Sequence, residues 1–210
     1  MNIELSPRAA EIAACARSLL AVGGYNGFSY ADIAAAVHIS KASIHHHFPS
    51  KAELVRVVLV QHRANGQASL KALARHLPDP VAQLHAYTGY WAACIRDDNS
   101  PFCICAMLAA ELPSIPPRVA DEVRGHFFDL AAWLTAVLAK GASEGGFVLT
   151  ERAEAEAMAF MAAVHGAMLS ARACGNAEVF ADVVEPLLRR LTARSLFSDD
   201  PTNLQRTFGR

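Results

Sequence analysis

Residues 29–51 read SYADIAAAVHISKASIHHHFPSK, and this stretch decides the fold. Ser29 and Ser40 stand where helix N-caps belong, because each precedes a short segment with helically spaced apolar residues. The two segments cover 30–37 and 41–48 and are joined by a tight turn. Two short helices at this spacing, led by a longer helix, predict a helix-turn-helix.

The second short helix has an inner and an outer face. At about 100° per residue, Ile44 and Phe48 lie about 40° apart and are expected to face the core. The other positions form the outer face and its edges: Lys41, Ala42, Ser43, His45, His46 and His47. Small side chains let a helix approach a groove floor, and serine and histidine can hydrogen-bond base edges or phosphates. Lys51 begins the next helix, where its charge and the free backbone N–H groups suit a phosphate.

The run His45–His47 does not predict a metal site. Neighbouring side chains on a helix diverge by about 100°, whereas helical metal sites place their ligands three or four residues apart. No carboxylate pair or nucleophile–base constellation stands out elsewhere. We therefore predict no metal, no cofactor and no enzymatic activity.

The composition excludes several classes of protein. The chain has 210 residues, 53% of them apolar and 19% charged, which favours folded domains over disorder. Nineteen Lys and Arg against 20 Asp and Glu exclude a polycationic binder and leave any DNA contact to a few placed groups. No run of 18 apolar residues predicts a membrane span, and Glu4 and Glu11 argue against a signal peptide. We expect a cytoplasmic chain whose five cysteines are reduced.

Strand patterns are almost absent, so the predicted fold class is all-α with about nine helices. Residues 1–50 are predicted to form a three-helix helix-turn-helix DNA-binding domain. Residues 51–197 are predicted to form a larger C-terminal helical bundle, and 198–210 a disordered tail. Beyond the long helix at 51–76, the predicted helices cover 81–97, 101–112, 118–141, 151–174 and 177–196.

The N-terminal motif extends on both sides of the short helices, with GYNGFSYADIA at 24–34 and VHISKASIHHHFPSKAEL at 37–54. Over this stretch the chain resembles the DNA-binding domain of the TetR family of transcriptional regulators. The resemblance implies a dimeric repressor whose second short helix enters the major groove of double-stranded operator DNA. It also implies that 51–197 form the domain for effector binding and dimerisation. It places eight residues at the DNA: Ser29, Tyr30, Lys41, Ser43, His45, His46, His47 and Lys51. His45 stands where the family usually has tyrosine, and Ala42 where it often has glycine.

Cysteines mark the middle of the chain. The segment CICAMLAAEL at 103–112 and the GGF at 145–147 resemble features of some TetR-like C-terminal domains, including electrophile-sensing NemR-like repressors and acryloyl-CoA-responsive ones. Cys103 is expected just inside a helix begun at Pro101, where the helix dipole lowers the pKa of a thiol and favours the reactive thiolate. Cys94 is a candidate resolving partner. Alternatively, the cysteines are small core side chains.

Soft and aromatic side chains on several later helices predict an effector pocket within the bundle. The candidates for the pocket or for sensing are Phe102, Cys103, Met107, His126, Phe127, Trp133, Met161 and His165. His126 and His165 are the polar groups best placed to orient a ligand, although a core or surface role is open for each. Core filling is expected for most of the apolar side chains, and a minority of them are expected to line the cavity.

The last two long helices predict a dimer surface, with core packing within one subunit as the alternative. The first carries small residues: Ala155, Ala159, Ala162, Ala163, Gly166 and Ala167. The second carries an apolar stripe: Val179, Val183, Leu187, Leu188 and Leu191. Two such helices from each subunit would form a four-helix interface, and a second reading helix would double the phosphate contacts.

Together, the residues and the resemblance predict a ligand-responsive, homodimeric, TetR-like repressor that a small molecule or electrophile releases from its operator. Two alternatives stay open. One is a TetR-like activator, which differs only in genomic context. The other is a helical small-molecule-binding or thiol protein without DNA function, for which the surface from Ser29 to Lys51 would be inert.

Overall fold

The computed structural model describes residues 3–97 and 102–192, and its regular secondary structure in those ranges is entirely helical. The helices there are α1 Pro7–Gly23, α2 Tyr30–Ala36, α3 Lys41–His47, α4 Lys51–His76, α5 Pro80–Arg96, α6 Ile104–Ala109, α7 Pro117–Ser143, α8 Ala153–Cys174 and α9 Glu178–Thr192. The predicted all-α fold class is confirmed. The predicted tail at 198–210 lies outside the described residues.

Polar N-caps define where most of the early helices begin. The hydroxyls of Ser6, Ser29, Ser40 and Ser50 each accept a backbone N–H from the first turn of the helix that follows, and the Asp79 carboxylate does the same for α5. These caps satisfy N–H groups that have no partner within the helix. The serines that predicted the helix-turn-helix therefore have the expected structural role.

The helices pack around one continuous core. α1 packs against α2, α4 and α6, and α4 in turn packs against α7. α7 and α9 flank α8, with α5 against the same group. By length and composition alone α8 could cross a membrane, but a core helix of a water-soluble protein passes the same test. α8 packs against both α7 and α9, as a core helix does, and part of its apolar surface stays exposed.

Two expectations about the later helices need correction. α6 begins at Ile104, three residues after the predicted start, and Cys103 is its N-cap residue. The apolar stripe predicted on the last helix is divided: Leu188 and Leu191 are buried in the core of their own subunit, and Val183 is exposed. The stripe therefore cannot contribute as a whole to a dimer surface.

Candidate DNA-reading surface and ligand cavity

The outer face of α3 is built on two buried anchors. Ile44 is completely buried and Phe48 is 3% exposed, so the inward face has the predicted orientation. Four residues are exposed on the other side, Lys41, Ala42, His45 and His46, while Ser43 and His47 are half-buried. The anchors fix the rotation of α3, and the exposed side presents cationic, small and imidazole side chains together. Such a face suits groove and phosphate contacts.

Two of the predicted DNA-contact residues also organise the motif itself. Ser29 and Asp32 form a capping box, in which the Ser29 backbone N–H donates to the Asp32 carboxylate at 2.7 Å. The Tyr30 hydroxyl donates to the Phe48 carbonyl at 2.9 Å, and its ring lies 4.8 Å from the His45 ring. Tyr30 therefore ties α2 to the end of α3. Any DNA contact by Ser29 or Tyr30 stays a prediction.

Lys51 is held against the loop that joins α1 to α2. Its ammonium donates to the Phe28 carbonyl and lies 4.7 Å from the centroid of the Tyr25 ring and 4.2 Å from that of Phe28. Burial, partly offset by the nearby Glu111 carboxylate, lowers the pKa of Lys51. In this structure its side chain joins α4 to the preceding loop, and the predicted phosphate contact remains untested.

Glu111, just beyond α6, connects the C-terminal bundle to the same loop. Its carboxylate accepts the Tyr25 N–H, 3.1 Å from both oxygens, and the Asn26 backbone and side-chain N–H groups at 3.4 and 3.3 Å. Gly24 has φ +70°, and a Cβ there would lie 1.7 Å from a Glu111 oxygen. The close approach therefore requires glycine at this position. Together with the packing of α6 on α1, Glu111 is a contact through which α6 can act on the DNA-reading domain.

We expect Glu111→Gln to lower the free energy of unfolding by about 2 kcal/mol, because the loop loses charge-assisted hydrogen bonds. Urea denaturation gives the stability, and amide hydrogen exchange should show lost protection at Tyr25 and Asn26. Glu144→Gln is the matched control. The Glu144 carboxylate is 52% exposed, and its ion pair with Lys140 is long, at 3.8 Å, so its loss should change the stability little. Equal stability of the two variants would contradict the structural role of Glu111.

A cavity of about 620 Å³ lies between α1, α4, α5, α7 and α8. Its walls are largely apolar, and its polar lining includes Arg17, His62, Tyr87, Trp91, His126 and His165. Cavities of this size and character are typical of small-molecule sites. Because α1 and α4 contribute to the wall, the cavity reaches across the predicted domain boundary at residue 50.

Several buried polar atoms around the cavity lack a hydrogen-bond partner among the described residues. They are Tyr87 Oη, Trp91 Nε1, Trp133 Nε1 and His165 Nε2. Burying an unpaired polar group costs about 1–3 kcal/mol. Three of the four belong to residues that line the cavity, so a ligand with hydrogen-bonding groups could satisfy them.

Burial keeps the cavity histidines neutral. It lowers the pKa of His62 to about 4, with a smaller effect from Arg17, and the pKa of His126 to about 3, with smaller effects from His62 and His165. The His62 and His126 rings are 5.3 Å apart. Burial also lowers the pKa of His165. These imidazoles therefore present hydrogen-bonding or ligating nitrogens rather than positive charge.

Acid should destabilise the protein well before carboxylates titrate. In the unfolded chain histidine binds a proton near pH 6.5, whereas folded His62 and His126 bind one only near pH 4 and pH 3. The contribution of these neutral histidines to the free energy of unfolding is therefore fully present above pH 6.5 and is lost as the pH falls toward 4. We expect each of the two histidines to lower the free energy of unfolding by about 2 kcal/mol between pH 7 and pH 5. Urea unfolding with chelator present measures this. His62→Gln should reduce the pH dependence and exposed His85→Gln should not; an equal effect would contradict the assignment.

The structure distributes the predicted pocket residues over three environments. His126 and His165 line the cavity, and Phe127 lies between them, with its ring centroid 5.5 and 5.1 Å from theirs. Trp133 packs against Tyr87, and Met161 is buried, its carbonyl 2.9 Å from His165 Nδ1. Of the predicted residues, His126 and His165 line the cavity, and Phe127 and Cys103 lie next to them.

Phe102 and Met107 lie elsewhere, beside Arg172. The Arg172 guanidinium is 5.1 Å from the Phe102 ring centroid and donates to the Met107 sulfur at 3.1 Å. It also donates to the Val22 carbonyl at the end of α1, at 3.0 Å. Phe102 lines a second cavity of about 630 Å³ that Cys94 also lines. These two predicted residues therefore hold a contact between α8 and α1.

The expectation that Cys103 has a lowered pKa is wrong. The side chain is 2% exposed, and burial raises the pKa of the thiol, although the N–H groups of Ala106 and Cys105 oppose the shift. The desolvation of a buried thiolate outweighs the favourable helix terminus. Burial likewise raises the pKa of Cys105. The argument for a thiol activated by the helix dipole does not hold, and a sensing role for Cys103 has no support from its ionisation.

Sequence reasoning missed four contributors to these sites: Arg17, His62, Tyr87 and Glu111. Arg17 lies on a helix of the predicted DNA-binding domain and His62 on the long helix at 51–76, and nothing in the local pattern connected either side chain to a pocket. Glu111 belongs to the segment 103–112, and its position just after the helix that contains Cys105 was the available signal. Their roles depend on tertiary contacts.

The protein combines a helix-turn-helix, whose α3 face is exposed, with a helical bundle that contains a cavity. These features are typical of DNA-binding regulators. The sequence profile of the family "Bacterial regulatory proteins, tetR family" matches residues 12–58, and that of "Tetracyclin repressor-like, C-terminal domain" matches residues 80–187. The chain belongs to the TetR family of transcriptional regulators. It is a DNA-binding transcriptional regulator and not an enzyme.

Solved structures show the same relationship. A TetR-family regulator from Agrobacterium tumefaciens is 53% identical with a TM-score of 0.87, over 89% of this chain and 98% of that one. A TetR regulator from Legionella pneumophila is 25% identical with a TM-score of 0.79, over 90% and 100%. The reduced form of E. coli NemR, at 16% identity, a TM-score of 0.82 and coverage of 91% and 100%, shares the fold. No curated protein matches the chain.

Proposed function

We propose that the protein is a homodimeric, cytoplasmic repressor that a small molecule bound in the central cavity releases from operator DNA. The observation that carries the proposal is the outer face of α3, where Lys41, Ala42, His45 and His46 are exposed above two buried anchors. We infer that these residues, with Ser43 and His47 at the edges, contact base edges and phosphates in the major groove.

An exposed apolar face on α8 supports the dimer. Met158 is 53% exposed and Leu169 48%, and both lie on the helix whose small residues Ala155, Ala159, Ala162 and Gly166 are also exposed. Val183 of α9 adds to the exposed apolar surface. Small residues permit close approach of a second copy, and a two-fold arrangement would bury the same face of both subunits.

The ligand response would pass through two routes from the cavity. α4 runs from Lys51, directly after the reading helix, to a cavity-lining segment about 16 Å further along its axis at His62. α6 packs against α7, one wall of the cavity, and is followed by Glu111, which holds the α1–α2 loop. A ligand that binds more tightly to an arrangement of α4 and α6 that is incompatible with DNA binding would shift the population away from the DNA-binding state.

Selection from a random duplex library with the purified protein tests this function. We expect an inverted repeat, bound by two chains per duplex, with affinity that falls as salt rises. Protein refolded to remove any copurified ligand must give the same result. Failure to enrich a sequence with the refolded protein would overturn the proposal. A promoter–reporter fusion containing the selected site then tests repression, which requires higher expression in the absence of the protein.

A further inference from the structure

Cysteine and histidine side chains from four helices meet beside the cavity. His62 of α4, Cys105 of α6 and His126 of α7 have ligating atoms that all lie within 4.8 Å of one another. Cys103, at the start of α6, forms a second such group with His126 and His165 of α8. The two triads share His126, and each contains one sulfur and two imidazoles. Sulfur and nitrogen ligands at this separation can converge on one ion after small side-chain adjustments.

His165 supplies an independent observation that points to a ligand. The residue is 9% exposed, and its Nδ1 lies 2.9 Å from the Met161 carbonyl oxygen. Because a carbonyl oxygen can only accept, this hydrogen bond requires the proton to be on Nδ1. That tautomer leaves the Nε2 lone pair free, and Nε2 has no partner within the described part of the chain. A histidine held by a backbone carbonyl through one nitrogen is the usual arrangement when the other nitrogen binds a metal.

We propose that Cys103, His126 and His165 form a binding site for one soft d10 cation, Cu⁺ or Zn²⁺. Thiolate and imidazole ligands select these ions over Mg²⁺ and Ca²⁺, which prefer oxygen. On binding, the Cys103 S–H bond is replaced by a sulfur–metal bond and the proton passes to solvent. One thiolate makes a three-coordinate Cu⁺ site electrically neutral, whereas Zn²⁺ takes a fourth ligand, such as water, from the cavity.

The cavity explains how an ion can reach a buried site. His126 and His165 both line it, so a metal ion can approach their nitrogens through the cavity, and the buried Cys103 sulfur lies within 4.8 Å of the ligating atoms of both. This site is separate from the exposed histidines of α3, which diverge around a helix and suit only weak surface binding. The proposal concerns binding alone and does not depend on the proposed DNA function.

Metal-free protein, titrated with Zn²⁺ or with Cu⁺ under anaerobic reducing conditions against a competing chelator, tests the site. We expect one ion to bind per chain. The ion for which the protein competes more successfully against the chelator is the one that the site prefers. Cys103→Ser and His165→Gln should each weaken binding by about 100-fold or more. Cys174→Ser, an exposed cysteine, and His46→Ala, on the surface histidine run, should leave it unchanged. Co²⁺-loaded protein should show a thiolate-to-cobalt charge-transfer band.

Three results would overturn the proposal. The first is no binding above the chelator for either ion. The second is binding that survives Cys103→Ser and His165→Gln but is lost in His46→Ala. The third is a cobalt band that disappears in Cys105→Ser, because the sulfur ligand would then be Cys105. Circular dichroism checks the fold of each variant, and if Cys103→Ser fails to fold, persistence of the band in Cys105→Ser is the deciding result.

Discussion

Ala42→Glu should lower the affinity for the selected operator by about 100-fold or more, because it places a carboxylate on the exposed side of α3. The added charge repels phosphates, and the longer side chain holds the helix away from the groove floor. In a dimer each half-site carries the defect. The measurement is fluorescence anisotropy with labelled duplex, at a fixed salt concentration because phosphate contacts depend on salt.

Ala68→Glu is the matched control for this change. Ala68 is an exposed alanine on α4, next to exposed Gln67, and far along the helix from α3. The same charge there should leave operator affinity within a few-fold of the unsubstituted protein. Equal loss in both variants would mean that net charge, rather than the α3 face, controls binding. Unchanged affinity in Ala42→Glu, with its fold intact, would contradict the proposed reading surface.

Ala162→Arg should dissociate the proposed dimer and abolish most of the operator affinity. Ala162 is exposed on α8 between Met158 and Gly166, in the face proposed to meet a second copy. Two arginines brought together by the two-fold axis would repel, and their bulk would separate the helices. We expect the dimer dissociation constant to rise by about 100-fold or more, measured by analytical ultracentrifugation over a concentration series.

Ala68→Arg serves as the control, because it adds the same side chain to an exposed polar part of α4. It should sediment as the unsubstituted protein does. A monomeric Ala68→Arg, or a dimeric Ala162→Arg that still binds operator tightly, would contradict the α8 interface. A monomer that binds operator with unchanged affinity would contradict the need for two reading helices.

Local rules explain what could be predicted from the sequence. Ile44 and Phe48 lie four residues apart on one helix, so helical geometry alone placed them in the core, and burial confirms this. Ser40 predicted the start of α3 because its hydroxyl satisfies a neighbouring N–H group. The family motif could be identified for the same reason, since it consists of caps, turn residues and anchors close together in the chain.

Tertiary contacts explain what could not be predicted. His62 and His126 are 64 positions apart, and only the packing of α4 on α7 brings them together beside the cavity. The ionisation of Cys103 was predicted in the wrong direction because helix position is visible in sequence and burial is not. Glu111 is bound by a loop that lies 85 residues earlier in the chain. Leu188 is buried by neighbouring helices, which its own helix does not reveal.

A photo-crosslink from position 46 to DNA tests whether α3 is the helix that reads the operator. His46 is exposed on α3, so a diazirine-bearing residue in its place should be accommodated by the fold. With the selected duplex, we expect crosslinks to major-groove bases in both half-sites, and the centres of the two half-sites should lie about 34–36 Å apart. Crosslinks from the same group at position 68, and none from position 46, would contradict this role of α3.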